Sequence, residues 1–418
     1  MAVVVRQHIT AAVRHALRSC EPRALVANQV WDVVGDRPLF ILAVGKAALS
    51  MASGCVGRAP IAAGLIVTHD GEAPAVPGFE ILVASHPFPD QRSVSAAQRA
   101  RAFVAAVPAH GVLLALISGG TSSLLAAPIA GVSLQAKSQV VRALMAAGAN
   151  IAELNTVRAA LSSIKAGGLV AGCAAPVVTW AISDVASDDI GMIGSGPTVG
   201  EWSNVPTAMP DYAALPAKAM VVARRFAVEL PAPTATRLPR TLAGIRSGDI
   251  ARVLAPRCAL ADAITFALGS SQPVLRLSLD DDSAAVAHAI VSEFAKLKSG
   301  QWLVAHGEPT VRLPAHAGPG GRMRDVALRL AIDLAGSPVQ GLALASDGCD
   351  GFCPAHPIAG AWFDGTTAVR GAAVGLNLAR QRDSAASASA FAALHDEFAP
   401  GLTGHNYADV VVLQRLQH

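Results

Sequence analysis

The sequence predicts an α/β protein of two domains, the larger built on a parallel sheet. Three observations predict it. Short, wholly apolar runs alternate with segments of helical length, as in βαβ crossovers. Those runs end abruptly in polar, glycine-rich turns. At 418 residues the chain is too long for one ordinary core. Apolar residues make up 52% and charged residues 15%, a core-rich globular composition.

The first element is an amphipathic helix over residues 3–28, where Val5, Ile9, Val13 and Leu17 recur at i/i+4 spacing. Leu39–Val44 reads as a buried strand, followed by Gly45-Lys46-Ala47-Ala48 and a helix through Met51. Gly64–Thr68 and Ile81–Ser85 are further short strands, the second ending in His86-Pro87-Phe88-Pro89-Asp90. A helix from about Ser93 to Val107 leads into the strand Gly111–Ile117. After the turn that ends it, Ala136–Ala147 reads as a helix. Asn155–Arg158 and Lys165–Leu169 mark another helix and turn, and Pro176–Ile182 another strand. Pro231, Pro233 and Pro239 within Leu230–Leu242 mark the domain boundary. Beyond it come strands at Pro273–Leu279, Trp302–His306 and Gly341–Ala345, separated by helices near Ala284–Leu297 and Met323–Leu334. No repeat of solenoid or propeller length is present.

Several partner classes are excluded. The net charge of +3 comes with no basic block interleaved with aromatics, so no nucleic-acid partner is expected. No Asp, Glu, Lys or Arg occurs from Ala102 to Ala136, yet Pro108, Pro128 and the Ser118–Ser123 turn cut that run below spanning length. No membrane partner is expected either. The N-terminus lacks the apolar core of a signal peptide. The six cysteines are scattered, as reduced thiols of the cytoplasm are.

The chemistry gathers at the carboxyl ends of the strands, where open parallel sheets bind ligands. Ser118-Gly119-Gly120-Thr121-Ser122-Ser123 follows a buried strand and opens a helix. Its glycines let backbone approach a ligand, and its hydroxyls and free N–H groups suit a phosphate or carboxylate. Gly45-Lys46 lacks the upstream glycine and following hydroxyl of a P-loop, but places a point charge after a strand. Gly318-Pro319-Gly320-Gly321-Arg322 places an arginine before a helix, suited to bidentate anion recognition. Asp184, Asp188, Asp189, Asp347 and Asp350 are turn carboxylates, of which one or two would suffice for Mg²⁺ beside phosphate. Cys349, Cys353 and His356 match no zinc spacing. The Gly-x-Gly-x-x-Gly fingerprint is absent: Gly194-Ser195-Gly196-Pro197-Thr198-Val199 ends in valine.

Taken in order, these segments resemble the class II glycerate kinases, the glycerate 2-kinase family that carries the MOFRL domain. The resemblance rests on Val44-Gly45-Lys46-Ala47, His86–Asp90, Ile117–Leu125, Leu154–Arg158, Ser183-Asp184-Val185, Ser195–Thr198, Gly307–Val311, Gly320-Gly321-Arg322 and Ser346–Gly351. It implies a larger Rossmann-like domain over residues 1–235 and a smaller α/β MOFRL-type domain over 243–390. The tail, 391–418, would then pack back on the first domain through Gly404-His405-Asn406 and Asp409.

It further implies ATP- and Mg²⁺-dependent phosphorylation of D-glycerate at the 2-hydroxyl, in a cleft between the domains. Lys46 and Arg322 fall on the family's essential lysine and arginine. Substrate and nucleotide would be held among Gly45, Ser118, Gly119, Gly120, Thr121, Ser122, Asn155, Arg158, Asp184, Gly196, Glu308 and Asp347, with metal on Asp184, Asp189 or Asp347. A homo-oligomer is compatible with this reading. Two alternatives stand beside it: an NAD(P)-dependent hydroxypyruvate reductase, and a non-catalytic protein that binds a sugar acid or phosphate. Met323 departs from the asparagine usual after the Gly-Gly-Arg, and Asp325 stands for the acid that follows.

Overall fold

A computed structural model of the chain describes every residue except 1, 34, 70–73, 200–214, 232–248, 270–274, 352–355, 405–406 and 418. The chain divides into two compact units: Pro22–Ala255, and Met1–Glu21 together with Pro256–His418.

The first unit carries a six-stranded sheet whose neighbouring strands all run parallel. Its strands are β1 (Leu39–Val44), β2 (Ile61–His69), β3 (Phe79–Ala84), β4 (Val112–Ile117), β5 (Val177–Ile182) and β6 (Ile250–Ala255), in the order β3-β2-β1-β4-β5-β6. That is the strand order of dinucleotide-binding α/β folds, in which the connections reverse direction between β1 and β4. Every residue of β4 and β5 is buried, as expected where helices cover both faces. Leu42, Val44, Leu113, Ala115 and Ile117 pack with Ala97, Ala100 and Val104 of the helix Gln91–Ala105 in the unit's main core. Asp90 starts that helix: its side chain accepts from Arg92 N while Ser93 Oγ accepts from Asp90 N. A smaller core joins the helices Leu134–Ala146, Ile151–Ala160 and Leu215–Arg225.

The second unit has a mixed sheet. It comprises β7 (Leu275–Ser278), β8 (Trp302–Gly307), β9 (Val339–Leu344), β10 (Gly360–Asp364), β11 (Glu397–Phe398) and β12 (Asp409–Arg415), in the order β11-β10-β9-β12-β8-β7. Only β7 and β8 pair in parallel; β12 lies antiparallel between β8 and β9, and β10 antiparallel to both β9 and β11. Its core packs Val326, Ala327, Leu330 and Ala331 of the helix Arg322–Asp333 on Leu303, Ala343, Phe363, Val411 and Leu413.

Three expectations are corrected. The opening helix breaks at Glu21-Pro22 into Ala2–Ser19 and Pro22–Ala27, and its first part belongs to the second unit. Pro22 opens the second helix because it has no N–H to leave unpaired there. The division falls after β6 rather than before it. The expected boundary segment is only partly visible, since residues 232–242 lie outside the described residues. The tail supplies part of the second unit itself: β12 is a central strand of that sheet, its valines buried on both faces. His405 and Asn406 lie outside the described residues.

Candidate functional site

In the first unit the expected loops meet at the reversal between β1 and β4. Lys46 N donates to Gly119 O at 2.9 Å, and Ala47 N to Ser118 Oγ at 3.1 Å. Thr121 Oγ1 donates to Val44 O at 2.9 Å and Ser118 O at 2.7 Å. Gly45 has φ +129°, and a Cβ there would lie 2.1 Å from Ser118 Oγ, so the two loops interlock only with glycine. A Cβ on Gly120 would fall 3.0 Å from the His86 ring and 3.3 Å from Lys46 Cγ. Lys46, His86 and Gly120 therefore share one edge of the sheet.

The hydroxyls do not all serve as expected. Ser118 and Thr121 are buried and spend their side chains on backbone, and Ser123 Oγ donates to Gly120 O. The helix that follows is a single turn, Thr121–Leu124, too short for a substantial dipole. Ser118 and Thr121 thus shape the loop. Ser122 Oγ instead accepts from Lys165 Nζ and lies 3.4 Å from Ser195 Oγ.

Lys165 is the residue that sequence reasoning missed as a site group. It is 3% exposed. Burial, then the charges of Lys137 and Arg158, push its ammonium well below the usual lysine range. Burial also lowers the Arg158 guanidinium, whose Nη1 donates to Asn155 Oδ1 at 3.4 Å. Three cations, Lys137, Arg158 and Lys165, thus converge beside Ser122. The turn is held by backbone: Ala166 N donates to Ser195 O at 3.1 Å and Gly167 N to Gly196 O at 2.7 Å. Gly196 serves this turn through its carbonyl, and its own loop requires glycine there, since a Cβ would meet Gly191 O at 2.5 Å. The signal was a lysine followed by Ala-Gly-Gly in a segment with no nearby acid.

Asp184, Asp188 and Asp189 follow β5, half-buried. Asp189 Oδ1 accepts from Gly191 N at 2.8 Å.

In the second unit Arg322 is the centre. Its Nε donates to Asp409 Oδ2 at 2.5 Å, and its Nη1 lies 3.6 Å from Glu308 Oε2. Burial pulls the guanidinium pKa down, but Asp409 and Glu308 more than offset this and hold it above the ordinary arginine value. Burial pushes the Asp409 carboxyl up to about 7 against the pull of Arg322, with Asp350, Glu308 and Asp347 adding to the rise. Glu308 is placed by Asp280, which accepts from Glu308 N at 2.9 Å and forms a bidentate pair with Arg257. That pair brings the Asp280 carboxyl down to about 2.

Asp347 and Asp350 part company. Asp347 lies in the turn after β9, its Oδ1 accepting from Cys349 N at 3.0 Å. Asp350 is 1% exposed and caps the helix Arg322–Asp333, accepting from Met323 N at 2.9 Å and Arg324 N at 2.8 Å. That helix start is thereby filled by the protein's own carboxylate. The structural reason for Gly321 is the same contact, since a Cβ there would lie 2.3 Å from the Asp350 carboxyl.

The expected residues thus form two groups, one in each unit: Gly45, Lys46, the Ser118–Ser123 loop, Asn155, Arg158, Asp184, Asp189 and Gly196, and separately Glu308, Arg322 and Asp347. Among the described residues no group of three or more His, Cys, Asp or Glu side chains is placed to hold a metal ion. Cys353 lies outside the described residues, and none of the other five cysteines is joined in a disulfide among the described residues. No helix among the described residues is long and apolar enough to cross a membrane. A cavity of about 700 Å³ along the helix Ala2–Ser19 is lined by Asp396 and by Arg6 and Arg370, both of which donate to it.

Comparison with known proteins matches residues 4–221 to a domain of unknown function, DUF4147, and residues 301–409 to the MOFRL family. A protein of Agrobacterium vitis, provisionally named a hydroxypyruvate reductase, is 34% identical over 98% of this chain and 94% of its own. A D-glycerate 2-kinase of Thermotoga maritima is 30% identical over 85% of each chain. The crystal structure of a glycerate kinase from Thermotoga maritima superposes with a TM-score of 0.83 at 27% identity, covering 99% of this chain and 100% of that one.

Proposed function

We infer the activity from one premise: this chain belongs to the class II glycerate kinase family, with both its DUF4147 and MOFRL parts present. We propose that it transfers the γ-phosphoryl group of ATP to the 2-hydroxyl of D-glycerate, giving 2-phosphoglycerate and ADP. The observation that carries this reading is the interlock of Gly45-Lys46 with Ser118-Gly119 at the β1/β4 reversal. It sets a cation and a glycine loop where α/β sheets bind anions.

Phosphoryl transfer asks the protein mainly to position the reactants and to stabilise spreading negative charge. In this proposal Lys46 supplies positive charge to an anionic group held at the Ser118–Ser123 loop, and in the second unit Asp409 and Glu308 aim the Arg322 guanidinium at phosphate. The cations beside Ser122 hold a second anionic group. Asp184, Asp189 and Asp347 offer the hard oxygen atoms that Mg²⁺ takes, and one or two of them suffice beside phosphate. Bound there, Mg²⁺ would neutralise phosphate charge.

The reductase name of the Agrobacterium vitis relative motivates a second reading. The first unit has the strand order of a dinucleotide-binding fold, but β1 is followed by Gly45-Lys46-Ala47-Ala48. The glycines that bring backbone against a pyrophosphate are missing. Phosphorus NMR of an incubation with ATP, Mg²⁺ and D-glycerate separates the readings. A 2-phosphoglycerate resonance is expected. NADH oxidation by hydroxypyruvate without any phosphorylated product would replace the kinase with the reductase, and binding of glycerate without turnover would indicate a non-catalytic protein.

A further inference from the structure

A cavity of about 750 Å³ opens beside Arg322, walled in part by Pro309, Val311, Leu313 and Pro319. Two of its lining residues carry a buried polar atom with no hydrogen-bond partner: Asp325 at Oδ1 and Ser387 at Oγ. They are 2% and 1% exposed. The other Asp325 oxygen accepts from Ser283 Oγ at 2.6 Å and Arg329 Nε at 2.8 Å. A buried carboxylate oxygen can only accept, so Oδ1 calls for a donor. Unmet polar atoms on a cavity wall are where a ligand's polar groups complete a site.

Size and charge decide which ligand. The volume falls in the range of about 300–1,000 Å³ of sites for whole cofactors. A three-carbon acid would leave most of it unfilled and would bring nothing apolar to the wall of Pro309, Val311 and Leu313. A nucleoside brings a flat ring for the apolar wall and neutral hydroxyls that donate. Arg322 lines the same cavity, so phosphates attached to that nucleoside would meet a guanidinium.

We propose that this cavity seats the nucleoside part of the phosphate donor, with Asp325 accepting from the ribose hydroxyls and Leu313 covering the base. The proposal rests on the kinase reading but is tested without turnover. Asp325→Asn is informative because Ser283 and Arg329 will claim the amide oxygen, which leaves an NH₂ donor where Oδ1 stood.

Titration calorimetry with ADP and 2′,3′-dideoxy-ADP reads the contact. Wild type should bind ADP about tenfold more tightly than the dideoxy analogue, and Asp325→Asn should lose that preference. Leu313→Ala should weaken ADP severalfold with the Tm unchanged. Leu313 is 70% exposed, so its truncation spares the fold and decides the matter if Asp325→Asn is unstable. ADP binding unaltered in Leu313→Ala, or equal affinity of wild type for the two nucleotides, overturns the proposal. The expected binding preferences without phosphorylation of glycerate would overturn the kinase reading and leave the nucleotide pocket in place.

Discussion

Arg322 is held by Asp409, 87 positions further along the chain, through a contact of 2.5 Å from Nε to Oδ2. The strand that carries Asp409 is wedged between the two strands that lead into Glu308 and Asp347, so three strand ends and one helix start converge on the guanidinium. A group aimed from so many directions keeps its geometry when charge shifts beside it. Asp409→Asn should retain the fold while lowering kcat about tenfold. Arg322→Ala should cost about 10²–10³ in kcat, the scale of losing one charge-stabilising donor. Steady-state rates on variants of unchanged Tm check both, and a wild-type rate in Arg322→Ala would remove it from the chemistry.

The Asp409 carboxyl gives a pH signature. An aspartate in the unfolded chain titrates near ~3.9, whereas burial brings this one up to about 7 in the folded protein. The folded state therefore holds the proton more tightly. Its contribution to stability is full below about pH 4 and is lost as pH rises through about 7. Wild-type Tm should decline from about pH 5 to pH 8 more steeply than that of Asp409→Asn. Parallel curves would show that another group sets the slope.

Gly45 and Lys46 are adjacent but should fail differently. Alanine at 45 adds a Cβ 2.1 Å from Ser118 Oγ and 2.7 Å from Ser118 O, at a φ that L-residues avoid. A loss of about 3 kcal/mol or more is expected, seen as a depressed Tm. Lys46→Ala should leave Tm alone and lower kcat by about 10²–10³. If both variants lost stability alike, the lysine would be structural.

Lys165 offers the converse test. Burying it among Lys137 and Arg158 costs stability that methionine would not. Lys165→Met should melt no lower than wild type, yet raise the KM of one anionic substrate at least about tenfold, because the buried cation that the anion pairs with is gone. A variant that melts higher and keeps both KM values would mean that the cluster holds neither substrate.

Much of the first unit could be read from residues. β1 and β4 are unbroken apolar runs, and β5 is interrupted only by Thr179, because they are buried on both faces, and each ends in the polar turn that betrays it. β6 escaped notice because an edge strand shows solvent one side: Ile250 and Arg252 are exposed. β12 escaped for another reason. Val410-Val411-Val412 is as strong a strand signal as β1, but nothing local says which sheet a strand far from its neighbours will enter. The site divides in the same way. Lys46, the Ser118 loop and Arg322 announce themselves by glycines, whereas Lys165 and Asp325 acquire their character from burial and from partners distant in sequence.

The placement of β12 also bears on how the chain is assembled. As a nascent chain leaves the ribosome, the parallel-sheet unit from Pro22 to Ala255 has all its strands before the other sheet is half made. The second unit must keep the helix Ala2–Ser19 waiting, and its sheet has a gap between β8 and β9 until β12 emerges. Arg322 is synthesised well before its anchor. A product cut short before Asp409 would carry a complete first unit, an arginine without its aim and two open strand edges, which quality-control proteases and aggregation both recognise.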